Sequence, residues 1–462
     1  MNRKLPNFVN FVYYKGRFSE IYPGDRESDG TLAVEDYLTD EEIGYFPNLK
    51  KVSKVIGGAR NLHKYWNGLE GADKIEMLEQ ASEELKKKNR YDELISRAGG
   101  FPIKFVKEAR ENFANYLNTP EQLLQENPGK GPVVAITSVT TPEVQPYIMI
   151  ESLLGNCSVV IKGSSSEPFS AYLLAEISGE IGLPVQFITY KTNENKSIFA
   201  AELYKMCEEE GGYFILMGNP STLKKIVYHE ISDKLDVTKL PIPNNIISFT
   251  SHGGGMIVDE SANIENAVQG AIHSFRFPKA CKVPTGIFVN KGSVDEFTDN
   301  LIDKISRQKV GNVLDKNTDV ATVSEEYWNN FVEPFLRVAK SNGEVLFGGD
   351  LNQPTVIKGN FNLSLLMEPQ YPVYCIEEID DMLEGIEKIN EASKNIGTGR
   401  ILDLSVYSSE EFFKELEKLR RRGDLNVYTL HKNRPTTSFN SHTAHEGIIL
   451  RKHLSEPNFV DE

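Results

Sequence analysis

The chain of 462 residues is poor in cysteine and tryptophan and has no excess of positive charge. Its four cysteines, Cys157, Cys207, Cys281 and Cys375, are scattered, with no CxxC pair and no metal-ligand spacing. That excludes a disulfide scaffold and a zinc module, and predicts free thiols in a reducing compartment. Lys and Arg number 51 against 66 Asp and Glu, a net charge of −15. Nucleic acid and anionic membrane surfaces are therefore not expected as partners. No apolar run approaches the ~18–20 residues of a membrane span. Pro6 and several asparagines interrupt the first fourteen residues, where a signal peptide needs an apolar core. A soluble, cytoplasmic protein is expected. A GxGxxG turn, a Walker loop, GxSxG and HExxH are all missing. His442 and His445 stand three apart with no third ligand nearby, so no metal site is expected.

What is present is a long alternation of apolar runs and helical patterns. The length allows roughly two to four domains at ~100–200 residues each. The first 130 residues carry weak signals: a strand pair near 9–22, and helical spacing over 71–88 and 101–117. The breaker cluster Pro128-Gly129-Lys130-Gly131-Pro132 marks a junction. Strands are then predicted over 133–138, 158–161, 185–190, 213–217 and 246–249, with helices between them. A second series begins near Gly253, with strands at 256–258 and 286–290, helices at 264–274 and 294–306, and a continuation to about 420. Repeated β-α-β units with strands apolar on both faces predict an α/β fold of two doubly wound parallel sheets.

Two segments carry chemistry. In Ile161-Lys162-Gly163-Ser164-Ser165-Ser166-Glu167-Pro168, a lysine ends a predicted parallel strand and a small-residue turn leads into a helix. Turn N–H groups, the helix dipole and the lysine charge together suit a phosphate or ribose. A serine N-cap beside a solvated lysine is the plainer alternative. Cys281 lies in the Pro-bounded, irregular stretch Phe275–Pro284, flanked by Arg276, Lys279 and Lys282. Basic, loop-like surroundings suit a reactive thiolate, whereas the other three cysteines read as packing residues.

In order and spacing, these segments resemble the aldehyde dehydrogenase superfamily from about residue 130 to 410. The matching motifs are Val134-Ala135-Ile136-Thr137 with Pro142, Lys162 with Ser164, and Gly218-Asn219-Pro220. Further along come His252-Gly253-Gly254, Cys281, and Glu368 with Pro372-Val373. The resemblance implies Cys281 as nucleophile, with Lys162, Ser164, Ser165, Gly218, Asn219 and Glu368 around a nicotinamide dinucleotide. It also implies a small oligomerisation arm and a homodimer or homotetramer. The implied domains are 1–117 with 133–250 for the cofactor and 251–422 for catalysis, with 118–132 and 423–462 forming the arm.

The departures from the family pattern redirect the expected chemistry. Ser251 stands where the family places its general-base glutamate, the group that activates water against the acyl-cysteine. Without it a thiol such as coenzyme A is the natural acyl partner. The chain most resembles the acyl-CoA reductase branch, of the bioluminescence long-chain type. The expected reaction is NADPH-dependent reduction of an acyl-CoA, of fatty acyl type, to the aldehyde. Thr140 or Thr141 occupies the neighbourhood of the missing oxyanion asparagine. Ser165 replaces the acid that meets the adenosine ribose, which favours NADP(H) over NAD. Two alternatives stay open: an NAD(P)-dependent aldehyde or semialdehyde dehydrogenase with a displaced base, and a non-catalytic binding protein of the same fold.

Overall fold

The computed structural model describes residues 10–14, 17–21, 28–49, 53–138, 140–190, 196–218, 220–229, 236–249, 253–360, 368–396, 399–437 and 448–455. The chain divides into two compact units, residues 1–250 with 448–462, and residues 251–447.

The first unit is built on a five-stranded parallel sheet. From edge to edge its strands are Val185–Ile188, Val159–Lys162, Val133–Ile136, Tyr213–Met217 and Ile246–Phe249. The strands are short and apolar because both faces are covered. On one face Val134, Val160, Ile188 and Phe214 pack with Ala59 and Leu203, from the Ser53–Gly68 and Lys196–Glu209 helices. On the other, Phe187 meets Tyr172 of the Phe169–Ile181 helix edge-on, with ring centroids 5.7 Å apart. The chain steps outward in one direction from Val133–Ile136, then returns to its other side at Tyr213–Met217. That reversal is a topological switch point between these two strands, the position at whose carboxyl ends doubly wound sheets take their ligands.

The second unit carries a seven-stranded sheet in the order Gly343–Phe347, Thr355–Gly359, Val373–Ile379, Pro284–Asn290, Gly254–Val258, Ile401–Tyr407, Val427–Lys432. Only the Gly343–Phe347 edge runs antiparallel to its neighbour. Ile257, Phe288, Leu404 and Val406 pack against Ile386, Ile389 and Leu416 of the covering helices. On the opposite side the Ile264–Ser274 helix comes in so closely that a Cβ on Gly270 would lie 1.6 Å from the Tyr407 hydroxyl.

The segments expected to form an arm also carry structure within each unit. Residues 118–132 hold one turn of 3-10 helix, Pro120–Gln122, and no strand. The breaker cluster explains this, since prolines remove ladder donors. Val427–Lys432 is the edge strand of the second sheet, parallel to Ile401–Tyr407. The helix Leu450–Ser455 belongs to the first unit. It is held there by a buried ion pair: Arg451 Nη1 donates to Glu151 Oε1 at 2.8 Å, and the Arg451 backbone N–H reaches Glu151 Oε2 at 3.1 Å. Tyr116 donates its hydroxyl to the same carboxylate and accepts from Arg451 at 3.1 Å. Among the described residues no helix is long and apolar enough to cross a membrane.

Breaking a buried pair from one side strands the other charge. Arg451→Met is therefore expected to destabilise the protein by ~3–5 kcal/mol in urea unfolding, and pairing it with Glu151→Leu to recover most of that. A loss below about 1 kcal/mol for the single variant would show that the pair does not hold the helix.

Candidate active site

In the first unit Lys162 ends its strand almost fully buried, at 4% exposure, and is not a solvated side chain. Its ammonium donates to Ser165 Oγ at 3.1 Å and lies 5.2 Å from the centroid of the Tyr190 ring. Ser165 itself is exposed. The loop that carries both is held from beneath by Gln145. The Gln145 carbonyl accepts the Ser164 N–H at 2.9 Å and the Thr137 hydroxyl at 3.1 Å. Its amide donates to the Glu167 carbonyl and the Ser170 hydroxyl, both at 2.8 Å. Gly163 lets the loop lie this low, because a Cβ there would meet the Phe187 ring at 2.6 Å.

The Phe169–Ile181 helix is capped by Glu167 rather than by a serine. Its carboxylate accepts the Ser170 N–H at 2.9 Å and the Ser170 hydroxyl at 2.7 Å. The expected use of this helix's dipole for a phosphate is therefore not available, since a side-chain carboxyl occupies the position. Burial lifts the Glu167 carboxyl to about 7, against the lowering effect of its Ser170, Phe169 and Gln145 hydrogen bonds. Neither Gln145 nor Glu167 stood out as a functional residue in the sequence. The run Ser-Glu-Pro before a helix was the signal for the cap, and Gln145 gave none.

Gly218 follows Met217 at the switch point, with φ +154, a conformation that favours glycine. Its N–H donates to the Phe249 carbonyl at 3.1 Å, and nothing lies within 4 Å of where a Cβ would point. Thr141 is buried, and its hydroxyl accepts the Glu143 N–H at 3.3 Å at the start of the Val144–Leu154 helix. Thr140 is half-buried. Asn219, Ser251, His252, His442 and His445 lie outside the described residues.

The second unit gathers its motifs along one edge of the sheet. Gly254–Val258, Pro284–Asn290 and Val373–Ile379 are adjacent and parallel, so Gly253, Cys281 and Glu368 all precede their strands at the amino edge. Gly253, at φ +89, donates its N–H to the Cys281 carbonyl at 3.0 Å and accepts from Leu402 N–H at 3.0 Å. A Cβ on Gly254 would stand 2.3 Å from the Lys282 carbonyl oxygen. The paired glycines thus let the Cys281 loop lie directly on the head of the Gly254–Val258 strand.

Cys281 is a half-buried thiol outside any disulfide, whereas Cys157, Cys207 and Cys375 are buried thiols outside any disulfide. Burial pushes the Cys157 and Cys207 thiols up to about 12 and raises Cys375 as well. The basic flanks are less available than their sequence suggests. Arg276 Nη1 sits 2.8 Å from His273 Nε2. The Lys279 ammonium lies 5.0 Å from the Tyr327 ring centroid, and burial pushes it down to about 8. Glu368 accepts the Gln370 side-chain amide at 3.0 Å, and burial raises its carboxyl above the usual range.

Two wound sheets, a lysine-serine loop at a strand end and a half-buried thiol on a glycine-held loop now stand beside the comparisons with known proteins. The chain belongs to the aldehyde dehydrogenase family, whose sequence model matches residues 25–399. It is 25% identical over 274 residues to betaine aldehyde dehydrogenase of Mesorhizobium japonicum, covering 53% of this chain and 51% of that protein. It is 23% identical over 411 residues to succinate semialdehyde dehydrogenase of Acinetobacter baylyi, covering 79% and 80%. The chain thus spans about half the length of the first of these relatives and four fifths of the second. In fold it is similar to the NADP-dependent glyceraldehyde-3-phosphate dehydrogenase of Bacillus halodurans, with a TM-score of 0.73, 18% identity and 97% of each chain covered.

The Glu167 cap makes a prediction about pH. The folded chain keeps the Glu167 proton up to about 7, while the unfolded chain releases it near the ordinary 4.5. Its contribution to stability is present below that lower value and is lost as pH rises through about 7. Glu167→Gln is expected to gain on the wild type in urea midpoint between pH 5 and pH 8. A difference that stays constant across that range would contradict the assignment.

Proposed function

We propose that the protein reduces an acyl thioester, a fatty acyl-CoA as the substrate class, to the aldehyde at the expense of NADPH. The observation that carries this reading is the pairing of a partly exposed Cys281 with Ser251, not a carboxylate, two residues before Gly253-Gly254. A thiol nucleophile is thus kept while the water-activating base is absent. Such a site passes its acyl group poorly to water and exchanges it readily with another thiol.

The residues present fit a nicotinamide dinucleotide. Lys162 and Ser165 offer an ammonium and a hydroxyl at a strand end without an acid to repel a 2′-phosphate. Gly218 leaves open space where a side chain would stand. Lys162, Ser164, Ser165, Gly218 and Asn219 would hold the nucleotide, and Glu368 its second ribose. A reduced nicotinamide dinucleotide bound there supplies the hydride. Cys281 does the rest of the bond-making: its thiolate forms a C–S bond to the thioester carbon, and coenzyme A leaves as a thiol after taking a proton. After reduction the C–S bond breaks, releasing the aldehyde and restoring the thiolate. The Cys281 backbone N–H and the hydroxyl of Thr140 or Thr141 are assigned to the oxyanion. Residues 118–132 and 423–462 are proposed as contact regions of a homodimer or homotetramer.

A second reading is favoured by the relatives, which are named for aldehyde and semialdehyde oxidation. On it, another group replaces the missing carboxylate and water accepts the acyl group. The two readings separate in one assay of purified protein, following nicotinamide absorbance with NADPH and acyl-CoAs of graded chain length, and with aldehydes plus NAD or NADP. The proposal expects thioester-dependent NADPH oxidation that Cys281→Ala abolishes by at least about a thousandfold. Turnover of aldehydes to acids with no thioester reduction would contradict it and favour the second reading.

A further inference from the structure

The turn Glu368-Pro369-Gln370-Tyr371-Pro372 is held on two adjacent points by two adjacent residues. Tyr327 donates its hydroxyl to Gln370 Oε1 at 3.2 Å, and Trp328 meets the Tyr371 ring edge-on at 5.2 Å between centroids. A turn of π-helix over Trp328–Val332 begins where these two side chains diverge, and such turns recur at functional sites. Tyr371 and Trp328 are buried in an apolar cluster with Val332, Phe335 and Val373, which anchors that half of the turn. Gln370 makes the other half polar. Its amide donates to Glu368 Oε2 at 3.0 Å while its carbonyl accepts from Tyr327, whose ring in turn carries the Lys279 ammonium 5.0 Å from its centroid. Lys279 is two residues before Cys281.

Gln370 achieves this at φ +57, a left-handed conformation in which a long side chain is strained. Glycine would fill the position without strain, and an apolar residue there would leave the Glu368 carboxylate without its clamp. A strained residue that makes two side-chain hydrogen bonds is held there by what those bonds do.

We propose that Gln370 is a positioning residue for the cofactor: it fixes one oxygen of Glu368 and leaves the other to meet the nicotinamide ribose. Through Tyr327 it ties that carboxylate to the loop that carries Cys281. This inference rests on the dinucleotide reading of the site. The clamp works by pre-organisation, since a half-buried carboxylate left to find its own pose must be ordered again each time cofactor binds.

The test is Gln370→Gly, with Tyr327→Phe as the second variant, measured as NADPH affinity by fluorescence titration alongside melting temperature. Removing one hydrogen bond to a charged group is expected to weaken NADPH binding roughly tenfold. The melting temperature of Gln370→Gly stays at or above the wild-type value, because strain is relieved. Tyr327→Phe shifts affinity in the same direction and adds nothing when combined with Gln370→Gly. A purely structural role would leave affinity unchanged in the glycine variant, and that result overturns the inference alone. Wild-type protein that binds neither NADPH nor NADH overturns the dinucleotide reading and this inference with it.

Discussion

The site of the second unit depends on one close approach of backbones. The chain must bring the carbonyls of Lys282 and Val283 within 2.3 and 2.5 Å of where a Cβ of residue 254 would be. Only glycine permits that. Gly253 completes the contact by tying its N–H to Cys281 and its carbonyl to Leu402. The Cys281 loop is thereby fixed at the edge of the sheet by main-chain geometry. The same edge carries Glu368, so a single ordered rim sets both the thiol and the carboxylate.

The first unit solves a comparable problem with side chains. Its loop at Lys162 has no glycine-rich phosphate cradle, and the helix that follows is closed by Glu167. What holds the loop is Gln145, which bonds to Ser164 above and to Glu167 and Ser170 beside it. Charge in this half is sparing and deliberate. With −15 overall, the molecule as a whole repels a polyanionic ligand, and Lys162 is positioned by Ser165 and Tyr190 to offset that locally.

Much of the fold was legible because apolar periodicity decides it. The strand Tyr213–Met217 and the helices Ile264–Ser274 and Val294–Ser306 have the bounds their patterns predict. The first 130 residues were less so. The helix Ser53–Gly68 shows little pattern but buries Leu62 and Trp66, and the short helix Asp92–Gly99 is fastened by a buried Asp92–Arg110 pair. The first also depends on a partner far along the chain, Trp66 donating its indole N–H to the Leu153 carbonyl at 3.2 Å. The hairpin of Ser28–Glu35 with Glu42–Leu49 was also missed, although it is closed by local pairing across its two strands. In the candidate site, the residues proposed to carry chemistry are of types readable in the sequence: a thiol, a lysine, a carboxylate. The groups that orient them are not, since Gln145 and Gln370 are ordinary until folding places a carboxyl beside each amide.

The proposed chemistry requires Cys281 to take an acyl group from a thioester. Incubating the protein with a long-chain acyl-CoA, without any nicotinamide cofactor, and mapping the product by peptide mass spectrometry tests this directly. One acyl adduct on the Cys281 peptide, lost on adding free coenzyme A and slow to hydrolyse in buffer, is the predicted result. No adduct at Cys281, or an adduct that water removes as fast as coenzyme A does, would contradict it.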